Sequence, residues 1–342
     1  MQAAQGQVDT ARAALYSAND KADVWKGTSS GAEKMATGAL SVETRGLCGG
    51  VEAGGTKFVC MIASGPDDIR AETSFPTTTP LQTISLAVDF FRQNMPIEGL
   101  AAIGVGSFGP VDPDPASPFY GYITSTPKPG WAQTNIVGML REPLGIPVAF
   151  DTDVNCAAYG EYRWGAGRET DPIIYITVGT GIGGGVIFAG NPAHGLVHPE
   201  IGHMLIPHDR EMDPFQGSCP FHRDCLEGLA SGNSLRARWG QLAQSLPDDH
   251  PAWEKEAHYL ALALANLVLI ISPRRIILGG GVMERQGLLT RVREKLPGFL
   301  SGYIQSSHLG EGISRYVVLP GLGNRAGVLG AIALAQDYLA RL

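Results

Sequence analysis

Residues 47–63 read LCGGVEAGGTKFVCMIA, two apolar segments joined by the turn Gly54-Gly55-Thr56. Apolar runs on either side of a short Gly-rich turn predict a β-hairpin, with a third strand around Ile69–Thr73. The design returns at residues 173–190, IIYITVGTGIGGGVIFAG, as apolar strand, Gly-Thr turn and apolar strand. One kind of hairpin at the head of each half predicts a duplicated α/β fold with a cleft between the copies. Pro80–Asn94 behind the first hairpin has apolar residues at helical spacing with Pro at its start. A strand at Leu100–Val105, a helix at Thr134–Glu142, a strand at Pro147–Asp151 and a helix beginning near Thr152 follow. In the second half come a buried helix at Tyr259–Ile271, a strand at Arg274–Leu278 entering Gly279–Gly281, a strand at Tyr316–Pro320 and a helix at Ala326–Leu342. Strands, Gly turns and helices in alternation are the mark of an α/β chain.

The 342 residues include 44% hydrophobic and 17% charged, the balance of a globular enzyme rather than a disordered or fibrous chain. A net charge of -7 argues against nucleic acid as a partner, because a phosphate-backbone binder carries a basic face. The most apolar run is broken by Asn266 and stopped by Pro273, too short to cross a membrane as a helix. Five cysteines in no regular framework fit a reducing cytoplasm. Residues 1–45, rich in Ala, Gly, Ser and Thr, are expected to be a disordered tail, with Met35 as an alternative start.

Turns of Gly and Thr expose backbone N–H groups that suit phosphate oxygens. Gly54, Gly55, Thr56 and Lys57 form one such turn, with Glu52 before it as a carboxylate for Mg²⁺. Gly179, Thr180 and Gly181 form the other, and Gly279, Gly280 and Gly281 offer flat backbone for a purine. Hairpin geometry explains either turn alone; recurrence in both halves favours a polyphosphate clamp. Asp151-Thr152-Asp153-Val154-Asn155 ends a strand and opens a helix, so its carboxylates suit either a helix cap or a general base.

Downstream, Glu200 and His203 stand in Pro-Glu-Ile-Gly-His, and Cys219, His222 and Cys225 follow as C-x2-H-x2-C. Clustered thiols and imidazoles suit a tetrahedral Zn²⁺. Of the nearby histidines His194, His198, His203 and His208, His203 is expected to be the fourth ligand. A metal there would staple the loop and place Glu200 and Glu227 at the ends of the tied segment.

Taken together, Glu52–Lys57, Thr124–Trp131 (TSTPKPGW), Asp151–Asn155, Val178–Gly184, Pro199–His203, Cys219–Glu227 and Gly279–Val282 resemble, in the same order, the ROK family of sugar kinases, its fructokinase-type branch in particular. The resemblance implies a two-lobed actin-like ATPase (ribonuclease H-like) fold with a zinc-stapled loop. Its lobes would be residues 46–171, with helix 325–342 packed back on them, and residues 172–324. It implies transfer of the ATP γ-phosphoryl to the 6-hydroxyl of fructose, or of a broader set of hexoses, with Asp153 as the base. Asn155, Glu200, His203 and Glu227 would bind sugar, and Asn135 and the Lys128–Trp131 loop would help enclose it. Three departures fit the fructokinase branch: Glu52 for the more usual Asp, His222 for a third cysteine, and Thr152 for Asn. A cytoplasmic homodimer using Mg²⁺ and Zn²⁺ is the assembly this resemblance implies.

Overall fold

A computed structural model describes residues 46–341, and the expectations for a tail at 1–45 lie outside the described residues. The first hairpin is β1 (Cys48–Ala53) and β2 (Lys57–Gly65), flanked by β3 (Asp68–Pro76). Helix α1 (Pro80–Asn94) starts where Thr79 caps it and Pro80 presets the first turn; its Ile84, Ala87, Val88 and Phe91 enter the core. β4 (Ile103–Ser107) follows, then a ribbon of β5 (Tyr122–Ile123) and β6 (Thr134–Asn135). The helix expected from Thr134 is α2 (Ile136–Leu144): Thr134 and Asn135 pair with the ribbon, and Asn135 Oδ1 caps the helix by accepting Gly138 N–H at 2.8 Å. That cap occupies Asn135 Oδ1, one of the polar atoms that sugar enclosure could have used. β7 (Val148–Thr152) completes a sheet of order β3-β2-β1-β4-β7 and leads into helix α3 (Asp153–Trp164).

β8 (Ile173–Val178) and β9 (Ile182–Phe188) form the second hairpin, extended by β10 (Asn191–Pro192). Two short helices, α4 (Leu226–Ala230) and α5 (Gly232–Trp239), precede the 20-residue α6 (Ala252–Ile271). The chain then runs through β11 (Arg275–Gly279), α7 (Leu288–Leu300), α8 (Ile313–Tyr316), β12 (Val317–Val318) and α9 (Ala326–Arg341). The strand expected from Tyr316 is only two residues long, because Tyr316 still belongs to the helical turn before it. No helix among the described residues is long and apolar enough to cross a membrane.

The second sheet runs β10-β9-β8-β11-β12 and matches the first strand for strand. In each, a hairpin strand pairs antiparallel with its partner on one side and parallel with a crossover strand on the other. The duplication expected from the two hairpins is therefore present in the sheets, while their edges differ in length.

Helix α3 lies between the sheets. Its Ala157, Ala158 and Tyr159 pack with Ile173, Tyr175 and Ile187 of the second sheet. On the other side α9 crosses β1 and β4 at backbone distance: a Cβ on Gly104 would sit 1.8 Å from the Ala331 carbonyl oxygen, and one on Gly330 would sit 1.6 Å from that of Cys156. Only glycine permits that approach, so these two positions seat the last helix against both the first sheet and α3. The end of α3 is fastened by fully buried Glu161, whose carboxylate accepts N–H from Ala166 at 2.6 Å, Gly321 at 2.8 Å and Leu322 at 2.8 Å. One helix thus carries Asp153 at its start and anchors the 319–327 segment near its end.

Candidate active site

Asp153 is the first residue of α3, partly buried in the wall of a cavity of about 410 Å³. The cap of that helix is Thr152, whose hydroxyl accepts the Asn155 N–H at 3.0 Å. Asp153 Oδ1 accepts the Val154 N–H at 2.9 Å, and no hydrogen bond to its Oδ2 forms among the described residues. Capping, the ordinary reason for Asp at such a place, is thereby done by its neighbour. Burial pushes the Asp153 carboxyl up to about 6, with hydrogen bonds from the backbone opposing.

Glu52 at the end of β1 and Lys57 at the start of β2 line the same cavity from the first sheet. Burial first, then the charge of Asp153, raises Glu52 to about 7, while Lys57 opposes. Glu52 Oε2 is buried and has no hydrogen-bond partner among the described residues. An orphaned carboxylate oxygen beside a second carboxylate fits a hard divalent cation or its waters. Tyr175, Thr177, Gly279 and Gly280 form the wall from the second sheet, and Pro320, Asn324 and Gly327 close it from the segment fastened by Glu161. Gly280 has φ 89°, and a Cβ there would lie 2.4 Å from the Val178 carbonyl oxygen, so the flat backbone at this wall depends on glycine.

The glycine turns divide between lining and support. Lys57, Gly279 and Gly280 line the cavity; Gly54, Gly55, Thr56, Gly179, Thr180, Gly181 and Gly281 lie outside its lining. Gly55 takes a 2.6 Å hydrogen bond from Lys128 Nζ, which brings a second ammonium group to the first turn. Trp131 of the same loop is fully buried against Phe58 and Phe108 and donates to the Thr78 carbonyl at 2.8 Å, which fixes the loop over the first hairpin. The second turn receives N–H from Gly232 at 2.7 Å and Asn233 at 3.2 Å.

Glu200 and Glu227 belong to the same electrostatic cluster. Burial, then the charges of Asp153 and Glu227, lift Glu200 to about 7. Glu227 accepts the Ile182 N–H at 2.9 Å, which ties α4 to the start of β9. Asn155 is buried, donates Nδ2 to Asp151 Oδ1 at 2.8 Å, and its own Oδ1 has no partner among the described residues.

His203, Cys219, His222 and Cys225 come together, with one ligand atom of each within 4.8 Å of all the others. His203 Nδ1 lies 3.7 Å from Cys219 Sγ and 3.8 Å from Cys225 Sγ, and Cys219 Sγ lies 3.8 Å from His222 Nδ1. A tetrahedron with Zn–S near 2.3 Å and Zn–N near 2.05 Å has edges of about 3.3–3.8 Å, so the set fits zinc. The other three nearby histidines have different partners. His208 lies 3.0 Å from Asp224 Oδ2, His194 lies 3.0 Å from Asp151 Oδ2, and His198 accepts the Val111 N–H at 3.2 Å. Spacing alone could not separate four histidines lying within fifteen residues. Asp151, Tyr175 and Asn324 are site neighbours to which the motifs gave no separate role, although Asp151 carried a signal as the first carboxylate of its motif; Lys128, expected in a sugar-enclosing loop, instead meets the first turn at Gly55.

The ROK family matches residues 48–338. Fructokinase of Zymomonas mobilis is 44% identical over 294 residues, which cover 84% of this chain and 96% of that protein. Fructokinase of Lactococcus lactis subsp. cremoris is 44% identical over 292 residues, covering 85% and 96%. The crystal structure of ROK hexokinase from Thermus thermophilus superposes with a TM-score of 0.70 at 26% identity, covering 86% of this chain and all of that one. The match runs from the first strand into the last helix and takes in both sheets, both Gly-Thr turns and the Cys-His loop, and the chain belongs to the ROK family.

Proposed function

We propose that the protein transfers the γ-phosphoryl group of ATP to the 6-hydroxyl of fructose. The observation that carries this is the Asp153 carboxylate at the helix start, relieved of capping and lining one cavity with Glu52 and Lys57. The name shared by relatives at 44% identity favours fructose, whereas the hexokinase likeness lies at 26%. Asp153 Oδ2 accepts the hydroxyl proton as the oxygen attacks phosphorus, and the ADP leaving group departs on the opposite side. Asn155, Glu200, Glu227 and the Nε2 of His203 orient the sugar, their acceptors matching its hydroxyls. Lys57 with Gly54, Gly55 and Thr56 holds the phosphates from one sheet, Gly179, Thr180 and Gly181 from the other, and Gly279, Gly280 and Gly281 back the base. Glu52, directly or through waters, would hold Mg²⁺, which when bound would supply positive charge beside the polyphosphate. His203, Cys219, His222 and Cys225 would hold Zn²⁺, which when bound would supply a fixed tie between the sugar wall and its loop. The halves are proposed as lobes 46–171 with 325–342, and 172–324, since α9 packs on β1 and β4. A cytoplasmic setting is supported by five unpaired cysteines, and a homodimer rests on family likeness alone.

The test is ADP release by purified protein with Mg-ATP on fructose, glucose, mannose and N-acetylmannosamine against a no-sugar control. Turnover highest on fructose is expected; comparable rates on several hexoses would favour the broader hexokinase, and release independent of sugar would end the proposal. The pH profile gives a second check. The base is the deprotonated form, and its raised pKa places the acid limb near pH 6 instead of near 4. On fructose, kcat/KM should therefore climb between pH 5 and 7 and level off above; a profile flat down to pH 5 would remove Asp153 as the base.

A further inference from the structure

A second cavity, of about 460 Å³, opens between the chain at Val111–Ser117 and the loop His194–Val197. It borders the proposed sugar residues on two sides. On one, Asn155 Nδ2 donates to Asp151 Oδ1 at 2.8 Å and lies 3.4 Å from His194 Nε2, while Asp151 Oδ2 meets His194 Nε2 at 3.0 Å. On the other, Val111 in the cavity wall donates its N–H to His198 Nε2 at 3.2 Å, and His198 Nδ1 stands 3.6 Å from Glu200 Oε1.

His194 is the imidazole in that wall. Its Nε2 is committed to Asp151, a carboxylate only 2% exposed that also accepts the Thr152 N–H at 2.7 Å. Its Nδ1 makes no hydrogen bond among the described residues, and its side chain is 39% exposed. A histidine needed only for packing would be covered; one oriented by a buried carboxylate, with the other nitrogen open to a cavity, is arranged to recognise something. The opposite wall offers less, because Asp112 is already taken by the Ser117 hydroxyl at 2.6 Å and the Asp114 N–H at 3.2 Å. The unpartnered Asn155 Oδ1 beside the pair is a buried acceptor that a ligand hydroxyl would satisfy.

We propose that His194, oriented by Asp151, is a specificity-determining residue whose Nδ1 meets hydroxyls at the end of the sugar remote from the phosphoryl acceptor. The inference rests on the fructose reading above. On this proposal the 6-hydroxyl faces Asp153, the ring lies beside Asn155 and Glu200, and the C1–C2 end reaches His194, which contacts Asp151 and lies 3.4 Å from Asn155. That end distinguishes the sugars: fructose carries its anomeric carbon at C2 with a hydroxymethyl group attached, and an aldohexose carries it at C1. Sites that hydrogen-bond a hydroxyl discriminate far more strongly than sites that merely fit a shape.

The test compares wild type, His194→Ala and His194→Gln on fructose and on mannose, with KM for ATP and melting followed alongside. For His194→Ala, kcat/KM on fructose should fall about thirtyfold while mannose changes less than about threefold and KM for ATP less than about twofold. His194→Gln keeps an amide toward Asp151, should lose less, and serves in place of the alanine variant should that one fail to fold. Equal losses on both sugars, or a loss confined to ATP, would overturn the inference and leave the fructose reading standing. Absence of fructose turnover in wild type would overturn both.

Discussion

Asp153→Asn is expected to lower kcat about a thousandfold while KM for ATP and binding of fructose change by less than about threefold. Asn keeps the size of Asp and can still accept the Val154 N–H, so α3 and its Thr152 cap stay in place. What it cannot do is take the hydroxyl proton. The same variant should be more stable than wild type. A carboxyl whose folded pKa is raised, here from 3.8 to about 6, favours the folded state fully only below its unfolded pKa, and that advantage is lost as pH rises through 6. At pH 7 wild type therefore carries a buried charge that the amide removes, and Tm should rise by about 2–6 °C. Rate and melting moving in opposite directions separates a chemical role from a folding defect; a parallel fall in both would indicate that Asp153 is structural.

Removing metal is expected to act in the opposite sense, lowering rate and stability together. Cys219 and Cys225 are buried, and burial lifts the Cys225 thiol to about 12, so without a cation its thiolate is disfavoured. A bound metal would replace thiols by thiolates and join the segment at His203 to the loop at Cys219–Cys225. At a thousandfold excess over its dissociation constant such a ligand stabilises the fold by about 4 kcal/mol. Chelation, or Cys225→Ser, should thus lower Tm by about 8–15 °C and release one equivalent of zinc measurable by a metallochromic dye. The sugar wall should loosen with the loop, raising KM for fructose more than KM for ATP. A metal-free preparation with unchanged melting and unchanged KM would show that the four residues hold no structural ion.

The sugar cluster and the metal set respond to different parts of the chain, which explains why they were unequally legible. Zinc ligands were readable because Cys219, His222 and Cys225 lie within seven residues and local spacing nearly defines the site. His203 was the expected fourth ligand, and the fold gathers it with the other three while giving His194, His198 and His208 other partners. His194 goes to Asp151, 43 positions away, and His198 goes to Val111, 87 positions away. Neither pairing leaves a periodic trace.

By itself the sequence determined the two hairpins with their Gly-Thr turns, the start of the helix at Pro80, the helix opening at Asp151–Asn155 and the order of the motifs. These depend on alternation, turn chemistry and capping, which act over a few residues. Tertiary structure alone decided that Thr152 takes the cap and leaves Asp153 to the cavity, and that Glu52 and Lys57 join it there. It also decided that Asn135 spends its oxygen on a helix start and that Asp151 turns His194 toward a second cavity. Each of these is a competition among side chains for the same few donors and acceptors. The winner is set by burial and by which loops the glycines at 104 and 330 allow to approach, quantities that exist only once the sheets and α9 have packed.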